Sequence, residues 1–344
     1  MTKNILITGG LGFIGSNFIL YMIENYPMYK LYNFDSITYA ADERVLKEIE
    51  HLPNYQFIKG DIRNKEAIHK AFKEYRITDV IHFAAESHVD NSIENPNIFA
   101  ETNIMGTLNL LDVAKENWMD APFFYKEGYR DSRFHHISTD EVYGTLGKEG
   151  HFTEDSPYAP NSPYSASKAS SDMLVRSFYH TYGMNVVTTN CSNNYGPRQH
   201  SEKLIPKLIR RALNGETLPI YGTGENIRDW LFVQDHCSAI DKVFRDGKNG
   251  ETYLIGGNNE KSNLQIVHSI CGYLDQVIPR NYKYSSLITF VEDRHGHDFR
   301  YAIDAKKLKN ELNWTPSVTF EMGLKVTIDW YIEKYNEGDK SNGK

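Results

Sequence analysis

The sequence predicts an α/β fold, a doubly wound parallel sheet with a smaller C-terminal α/β lobe. Three observations carry that expectation. Short β-rich runs alternate with amphipathic helical patterns through about the first 190 residues, which implies a parallel sheet covered by helices on both faces. A glycine-rich segment, Gly9-Gly10-Leu11-Gly12-Phe13-Ile14-Gly15, directly follows the first apolar run and opens a helix. After Tyr195-Gly196-Pro197 the composition shifts. Turn signals come closer together, at Gly222-Thr223-Gly224 and Gly256-Gly257-Asn258-Asn259, and Arg, His and Tyr become frequent.

In chain order, strands are expected at Asn4–Thr8, 30–34, 56–59, 79–83, 134–138 and 185–189, where short runs are rich in Ile, Val and Phe. Helices are expected at Phe13–Asn25, 42–50, Lys65–Tyr75, 98–116 and 165–181. Downstream, 230–244 reads as helix and 251–255 as strand. The expected organisation is residues 1–190 as a Rossmann-type dinucleotide-binding domain, with elements near 231–256 returning to it. Residues 191–336 then form mainly a substrate lobe, and 337–344 a polar, fraying tail. Residues 5–23 are apolar enough to resemble a signal sequence. However, Gly9, Gly10, Gly12, Gly15 and Asn17 break the run, and no small-residue cleavage site follows. The run is also too interrupted to span a membrane.

The 344 residues suffice for one large α/β unit with an appended lobe, or for two domains. With 38 basic and 45 acidic side chains the formal charge is −7, which favours solubility and argues against a nucleic-acid-binding surface. Cys191, Cys237 and Cys271 are odd in number and lack CxxC spacing, so neither a disulfide framework nor structural zinc is expected, and a reducing cytoplasm fits. His295-Gly296-His297 has no Cys or carboxylate framework around it, so no metal is expected.

The glycines of residues 9–15 permit a tight turn, close approach of backbone to a pyrophosphate, and tight helix–strand packing. The helix N-terminus behind them offers unpaired N–H groups and a positive dipole end. The second strand ends at Asp35, twenty residues past Gly15, where a carboxylate accepts both ribose hydroxyls. Asp35 would repel a 2′-phosphate and no Arg follows closely, so NAD is preferred to NADP. Asp61, in Gly60-Asp61-Ile62, is either an adenine ligand or a helix N-cap. Ala84-Ala85 supply small residues where backbone could approach a cofactor, and Ser87 then faces a substrate hydroxyl.

The reactive pattern is Ser138-Thr139-Asp140-Glu141-Val142-Tyr143-Gly144, followed by Tyr164-Ser165-Ala166-Ser167-Lys168. Tyr164 and Lys168, four apart, share one helix face, where the ammonium is expected to lower the phenol's pKa and make it a usable base. That pair points to hydride transfer with a nicotinamide. Asp140 and Glu141 add one acid and one base if their environments differ, which invites elimination as well as oxidation. The bland alternatives are solvated loop carboxylates and a surface Tyr/Lys pair. Asn193 and Asn194 are otherwise turn residues before Gly-Pro, and Arg228 and Arg294 are otherwise ion-pair residues.

With these motifs in order, the chain resembles the nucleotide-sugar branch of the extended short-chain dehydrogenase/reductase family, and within it the dTDP-glucose 4,6-dehydratases. The resemblance covers nearly the whole chain, through Ala84-Ala85-Glu86-Ser87-His88-Val89-Asp90, Asn193-Asn194-Tyr195-Gly196-Pro197, Lys203-Leu204-Ile205-Pro206, Pro219-Ile220-Tyr221-Gly222, Arg228-Asp229-Trp230 and Asp293-Arg294-His295-Gly296-His297-Asp298. Thr139-Asp140-Glu141 is the discriminating part, because related sugar epimerases usually carry a Ser/Thr there without the acid–base pair.

The resemblance implies that Tyr164 takes the sugar 4-OH proton as hydride leaves C4 for NAD, while Thr139 holds O4 and Lys168 supports the phenolate. Glu141 would remove the C5 proton, Asp140 would protonate the departing 6-OH, and the hydride would return to C6. The product would be a 4-keto-6-deoxy sugar for deoxysugar biosynthesis, with rhamnose the natural expectation. Implied cofactor contacts are Gly9, Gly12, Phe13, Ile14, Gly15, Asp35, Asp61, Ile62, Ala84, Ala85, Thr102, Tyr164, Lys168 and Asn194. Implied contacts to dTDP-glucose are Ser87, Thr139, Asn193, Lys203, Leu204, Pro219, Tyr221, Arg228, Asn263, Arg294 and His297. A homodimer through a four-helix contact of segments 98–116 and 165–181 is also implied. Another NAD-linked nucleotide-sugar epimerase or decarboxylase, and a non-catalytic NAD-binding scaffold, are the competing readings.

Overall fold

The structure is a computed structural model and describes residues 3–293 and 298–341. Strands β1 (Asn4–Thr8), β2 (Lys30–Asp35), β3 (Tyr55–Lys59) and β4 (Asp79–His82) are followed by a small hairpin, β5 (Met119–Ala121) and β6 (Phe124–Tyr125). Then come β7 (Phe134–Thr139), β8 (Val186–Cys191), β9 (Asn193–Tyr195), β10 (Leu218–Tyr221), β11 (Ile227–Phe232), β12 (Thr252–Ile255), β13 (Glu260–Ser262) and β14 (Ile288–Val291). Seven of them form one parallel sheet in the order β12-β8-β7-β4-β1-β2-β3. The chain winds outward from β1 in one direction, then restarts at β4 on the other side. That reversal opens a crevice at the carboxyl ends of β1 and β4.

A parallel sheet must bury both faces, and β1 demonstrates it. Ile5 and Ile7 enter a core with α1 (Phe13–Asn25) and α8 (Val233–Asp246), whereas Leu6 enters the opposite core with α2 (Lys65–Tyr75), α5 (Thr107–Trp118) and α6 (Pro163–Tyr182). Short helices α3 (Val89–Glu94) and α4 (Pro96–Phe99) precede α5. A third core in the C-terminal lobe is built on α7 (Leu204–Leu213), α9 (Asn263–Val277) and α11 (Phe320–Ser341), with α10 (Lys306–Leu312) lying against the main sheet. The lobe contains a parallel pair, β10 with β14, and a three-stranded sheet, β13-β11-β9.

The strands expected from sequence lie within two residues of those observed. The helices differ at four places. Residues 42–50 form a 3₁₀ helix (Glu43–Ile49), started by Asp42 accepting the Arg44 N–H. The segment 98–116 is not one helix but α4, a π-helical turn (Ala100–Gly106) and α5. Asn103 sits within the widened turn. Its amide accepts the Glu86 N–H at 2.8 Å and donates to the Glu86 carbonyl at 3.0 Å and to Ser167 Oγ at 2.8 Å, ties that accompany the wider turn. Trp230, Leu231 and Phe232, expected in a helix, are strand because they pair with Asn193, Asn194 and Tyr195. Helix α11 runs on to Ser341 past the expected tail start at 337, since no proline stops its ladder.

Asp235, in the first turn of α8, joins the two lobes. Its oxygens accept Ser317 N–H at 3.1 Å, Ser317 Oγ at 2.7 Å and Val318 N–H at 3.0 Å, all in the approach to α11. Asp235→Ala strands these donors and is expected to cost about 1.5–3 kcal/mol, with Asp235→Asn costing less. Denaturant unfolding measures it, and an unchanged midpoint in the Ala variant would contradict the assignment.

Candidate active site

The crevice is a cavity of about 340 Å³ at the carboxyl edge of the sheet. Its floor is the turn between β1 and α1. Gly9 has φ +73°, and a Cβ there would meet the Ala84 backbone nitrogen at 2.6 Å. A Cβ on Gly15 would lie 2.3 Å from the Gly9 carbonyl oxygen. Backbone thus packs on backbone with no space for a side chain. The N-terminus of α1, at Gly12, has no side-chain cap, so its N–H groups face the cavity available to an anion.

At the end of β2, Asp35 accepts the Leu11 N–H at 3.0 Å and the Ile37 N–H at 2.9 Å, which fixes its carboxylate at the cavity wall. Burial raises its pKa, and the backbone donors oppose that rise. Asp61 is not a helix N-cap. Asn64 caps α2, while Asp61 accepts the Arg63 N–H at 2.8 Å and pairs with its guanidinium at 2.6 Å. Bare glycine backbone, an open helix N-terminus and a wall carboxylate fit a dinucleotide. Gly9, Gly12, Phe13, Ile14, Gly15, Asp35, Asp61, Ile62, Ala84, Ala85, Thr102, Tyr164, Lys168 and Asn194 all line this one cavity.

The reactive residues sit at its far end. β7 ends at Thr139, whose hydroxyl accepts the Glu141 N–H at 3.3 Å and starts the 3₁₀ turn Asp140–Tyr143. Gly144, at φ +86°, ends that turn where a Cβ would strike the Ala159 carbonyl at 2.4 Å. Helix α6 begins with a Ser162/Ser165 capping box and Pro163, which place Tyr164 in its first turn with Lys168 one turn further on.

Asp140 is almost wholly buried. One oxygen accepts from the Thr139 hydroxyl at 3.4 Å, and the other has no hydrogen-bond partner among the described residues. Burial, then the Glu141 and Asp229 carboxylates, push it well above the usual carboxyl range. That pull toward the neutral acid separates it from a solvated loop carboxylate.

Tyr164 departs from expectation. Its phenol is raised, not lowered, by burial first and by Glu141 second, while a hydrogen bond with Thr139 works the other way. Lys168 gives no compensating drop because its ammonium turns to the sheet and donates to the Ile137 carbonyl at 2.8 Å. Burial also lowers Lys168 to about 8.

Of the expected substrate contacts, Ser87, Thr139, Asn193 and Lys203 line the same cavity, and Lys203 Nζ donates to the Ser87 carbonyl at 3.4 Å. Leu204, Pro219, Tyr221, Arg228 and Asn263 do not line it. Leu204 opens α7, Pro219 and Tyr221 lie on β10, and Asn263 opens α9 with its N–H on the Asn226 carbonyl at 3.2 Å. Arg228 lies on β11 and does not line the cavity. It stacks 4.3 Å over Tyr301 and donates to the carbonyls of Ile227, Asp298 and Phe299. Arg294 and His297 lie outside the described residues. Cys191, Gln199 and His200 also line the cavity and were not singled out from sequence. For Cys191 the available signal was its place at the end of a sheet strand.

The sequence model of the family described as GDP-mannose 4,6 dehydratase matches residues 6–327. A dTDP-glucose 4,6-dehydratase of Xanthomonas campestris pv. campestris (strain B100) is 52% identical over 329 residues, 95% of this chain and 92% of the relative. The chain belongs to the dTDP-glucose 4,6-dehydratase family. Solved dTDP-glucose 4,6-dehydratases share its fold. The Bacillus anthracis str. Ames enzyme, in complex with NAD, has 47% identity and a TM-score of 0.86, covering 97% of this chain and 98% of that one. The Streptomyces venezuelae dehydratase, also with NAD bound, has 40% identity and a TM-score of 0.88 over the same shares.

For this dehydratase-family turn, Gly15→Ala forces backbone apart, and overpacking of this kind costs about 1–3 kcal/mol. NAD affinity should fall roughly 5–150-fold, as read by titration calorimetry. Wild-type affinity in a folded Gly15→Ala protein would rule out the cradle.

Proposed function

We propose that this protein dehydrates dTDP-glucose to dTDP-4-keto-6-deoxyglucose, using NAD, in deoxysugar biosynthesis. The observation that carries the reading is Asp140: a buried carboxylic acid drawn toward its neutral form, with one oxygen unpartnered among the described residues, between Thr139 and Glu141 in the chain and lining the same cavity as Tyr164. A neutral acid serves elimination and has no task in simple alcohol oxidation. The dTDP-glucose named for the relatives supports the substrate.

Glycine backbone at residues 9–15, the N-terminus of α1 and Asp35 hold the dinucleotide. Bound there, the nicotinamide would supply the hydride acceptor and donor for the cycle, and the positive charge of its oxidised ring would favour a phenolate at Tyr164. Tyr164 takes the proton from the 4-OH, and Thr139, bonded to that phenol, fixes O4. The resulting ketone acidifies C5–H, Glu141 removes that proton, and Asp140 delivers its own to the 6-OH as water departs. With hydride restored at C6, Glu141 returns its proton to C5, and the proton held by Tyr164 makes good the one Asp140 gave up. Lys168 steadies the site through its bond to Ile137. No helix among the described residues is long and apolar enough to cross a membrane, and the free cysteines Cys191, Cys237 and Cys271 suit a cytoplasmic setting.

Incubation with dTDP-glucose should yield the 4-keto-6-deoxy sugar, recognised by its absorbance in alkali, without stoichiometric accumulation of reduced cofactor. An epimer or decarboxylated product would exclude dehydration. Asp140→Asn retains shape but has no carboxylic proton, so elimination should slow about 10²–10⁴-fold while the first oxidation persists in single turnover. Tyr164→Phe should instead suppress the oxidation itself. The reverse pattern would overturn both roles.

A homodimer through the α4–α5 segment and α6 is part of the same proposal. These segments pack side by side, and Met105 and Met173 remain more than half exposed on them. Light scattering should give twice the chain mass, and Met173→Glu should reduce it. A monomeric wild type would refute the contact.

A further inference from the structure

Two segments line the dinucleotide cavity from different lobes and meet at one side chain. Ser36, Thr38, Ala40 and Ala41, which follow β2, contribute one part of the wall, and His200 and Lys203, which lead into α7, contribute another. Tyr39 belongs to the first segment, is half-exposed, and does not itself line the cavity. Its ring meets the His200 ring edge-on with centroids 6.1 Å apart, and its hydroxyl accepts from Asn91 Nδ2 on α3 at 3.2 Å. His200 in turn faces Glu202 at 3.6 Å, and His88, just before α3, faces the same carboxylate at 3.8 Å. The chain after β2, the start of α3 and the approach to α7 are thus joined by contacts that the proposed reaction does not use.

Both ends of the first segment are pinned. At one end the Ile37 N–H donates to Asp35 Oδ1 at 2.9 Å. At the other, the Asp42 N–H donates to the Leu11 carbonyl at 3.2 Å, and its carboxylate meets Lys334 of α11 at 3.5 Å. Between the pins a turn is closed by the Ala41 N–H on the Thr38 carbonyl at 3.0 Å, with Tyr39 inside it. Ile37 has φ +56°, a left-handed conformation that a β-branched residue adopts only where its surroundings impose it. A turn strained at one end and pinned at both can swing about its pins once the contacts of its middle are released.

We propose that residues 36–42 form a strap over bound NAD and that Tyr39 is its latch, so that the contacts with His200 and Asn91 set how fast the dinucleotide leaves. The inference rests on the reading of this cavity as the NAD site and deepens it. Escape of reduced cofactor between the two halves of the proposed cycle would strand an oxidised sugar, so a slow exit serves this chemistry. Because His200 sits in the segment that carries Lys203, the latch also joins the cofactor side of the cavity to its substrate side.

The test is cofactor exchange. Protein loaded with radiolabelled NAD is chased with excess unlabelled NAD, and the label still bound is counted after rapid desalting. Tyr39→Ala removes both contacts and should lose label about tenfold faster or more. Tyr39→Phe and Asn91→Ala each break only the hydrogen bond and should lose it about threefold faster. Unfolding of the NAD-free protein should be unchanged, since Tyr39 is half-exposed. Label lost at the wild-type rate by Tyr39→Ala would overturn the latch. So would faster loss in a variant whose NAD-free form is destabilised, the mark of a merely structural residue. If Tyr39→Ala does not fold, Tyr39→Phe and Asn91→Ala decide by the same criterion. A wild type that takes up no label would sink the NAD site and the strap with it, whereas product analysis with dTDP-glucose reads the proposed reaction independently of exchange.

Discussion

Everything in this molecule depends on one geometric constraint of parallel sheets. Strands running the same way present all their carboxyl ends on one edge, and the order reversal between β1 and β4 leaves that edge uncovered. Asp35 ends β2, Ala84 follows β4, Thr139 ends β7 and Cys191 ends β8. Residues scattered over more than 150 positions of chain meet because strand direction brings them there, with helices on both faces making each strand end rigid.

The second principle is dryness. Burial displaces Asp140 and Tyr164 upward and Lys168 downward, so each moves toward its uncharged form. A carboxyl in that state donates a proton, which suits Asp140. The same force opposes Tyr164 as a base and Lys168 as a cation. Reactivity is thus set by which neighbouring charges offset burial: Glu141 reinforces it at Asp140 and Tyr164, and Asp172 opposes it at Lys168.

How much was legible in the sequence follows the range of the forces involved. The glycine turn, Asp35 and the Tyr164–Lys168 spacing are local patterns, and all of them open onto one cavity. Asp61 left two readings open, and only the position of Asn64 three residues later, capping α2, separates them. What was illegible depends on distant partners. Trp230–Phe232 is strand because β9 lies alongside, and the π-helical turn accompanies bonds from Asn103 to Glu86 and Ser167. Helical spacing correctly put Lys168 beside Tyr164, but could not reveal that the ammonium points to Ile137 or that burial dominates the phenol. Arg228 likewise faces Tyr301 and the carbonyls near 298, a contact that no spacing encodes.

The junctions between sheet and lobe have a consequence for how such a protein can be inherited. Between β8 and β9 there is one residue, Ser192, whose N–H is itself bonded to Ile255 at 3.0 Å; between β11 and α8 there is none. The chain crosses from one body to the other and back without a linker. A lobe attached by a tether could be exchanged whole for another, bringing a new specificity to an unchanged catalytic half. Here no cut yields two complete pieces, because β12 closes the edge of a sheet whose other strands lie far upstream. New substrates must therefore arise by substitution within an indivisible frame, one side chain at a time, under the packing demands of both halves at once.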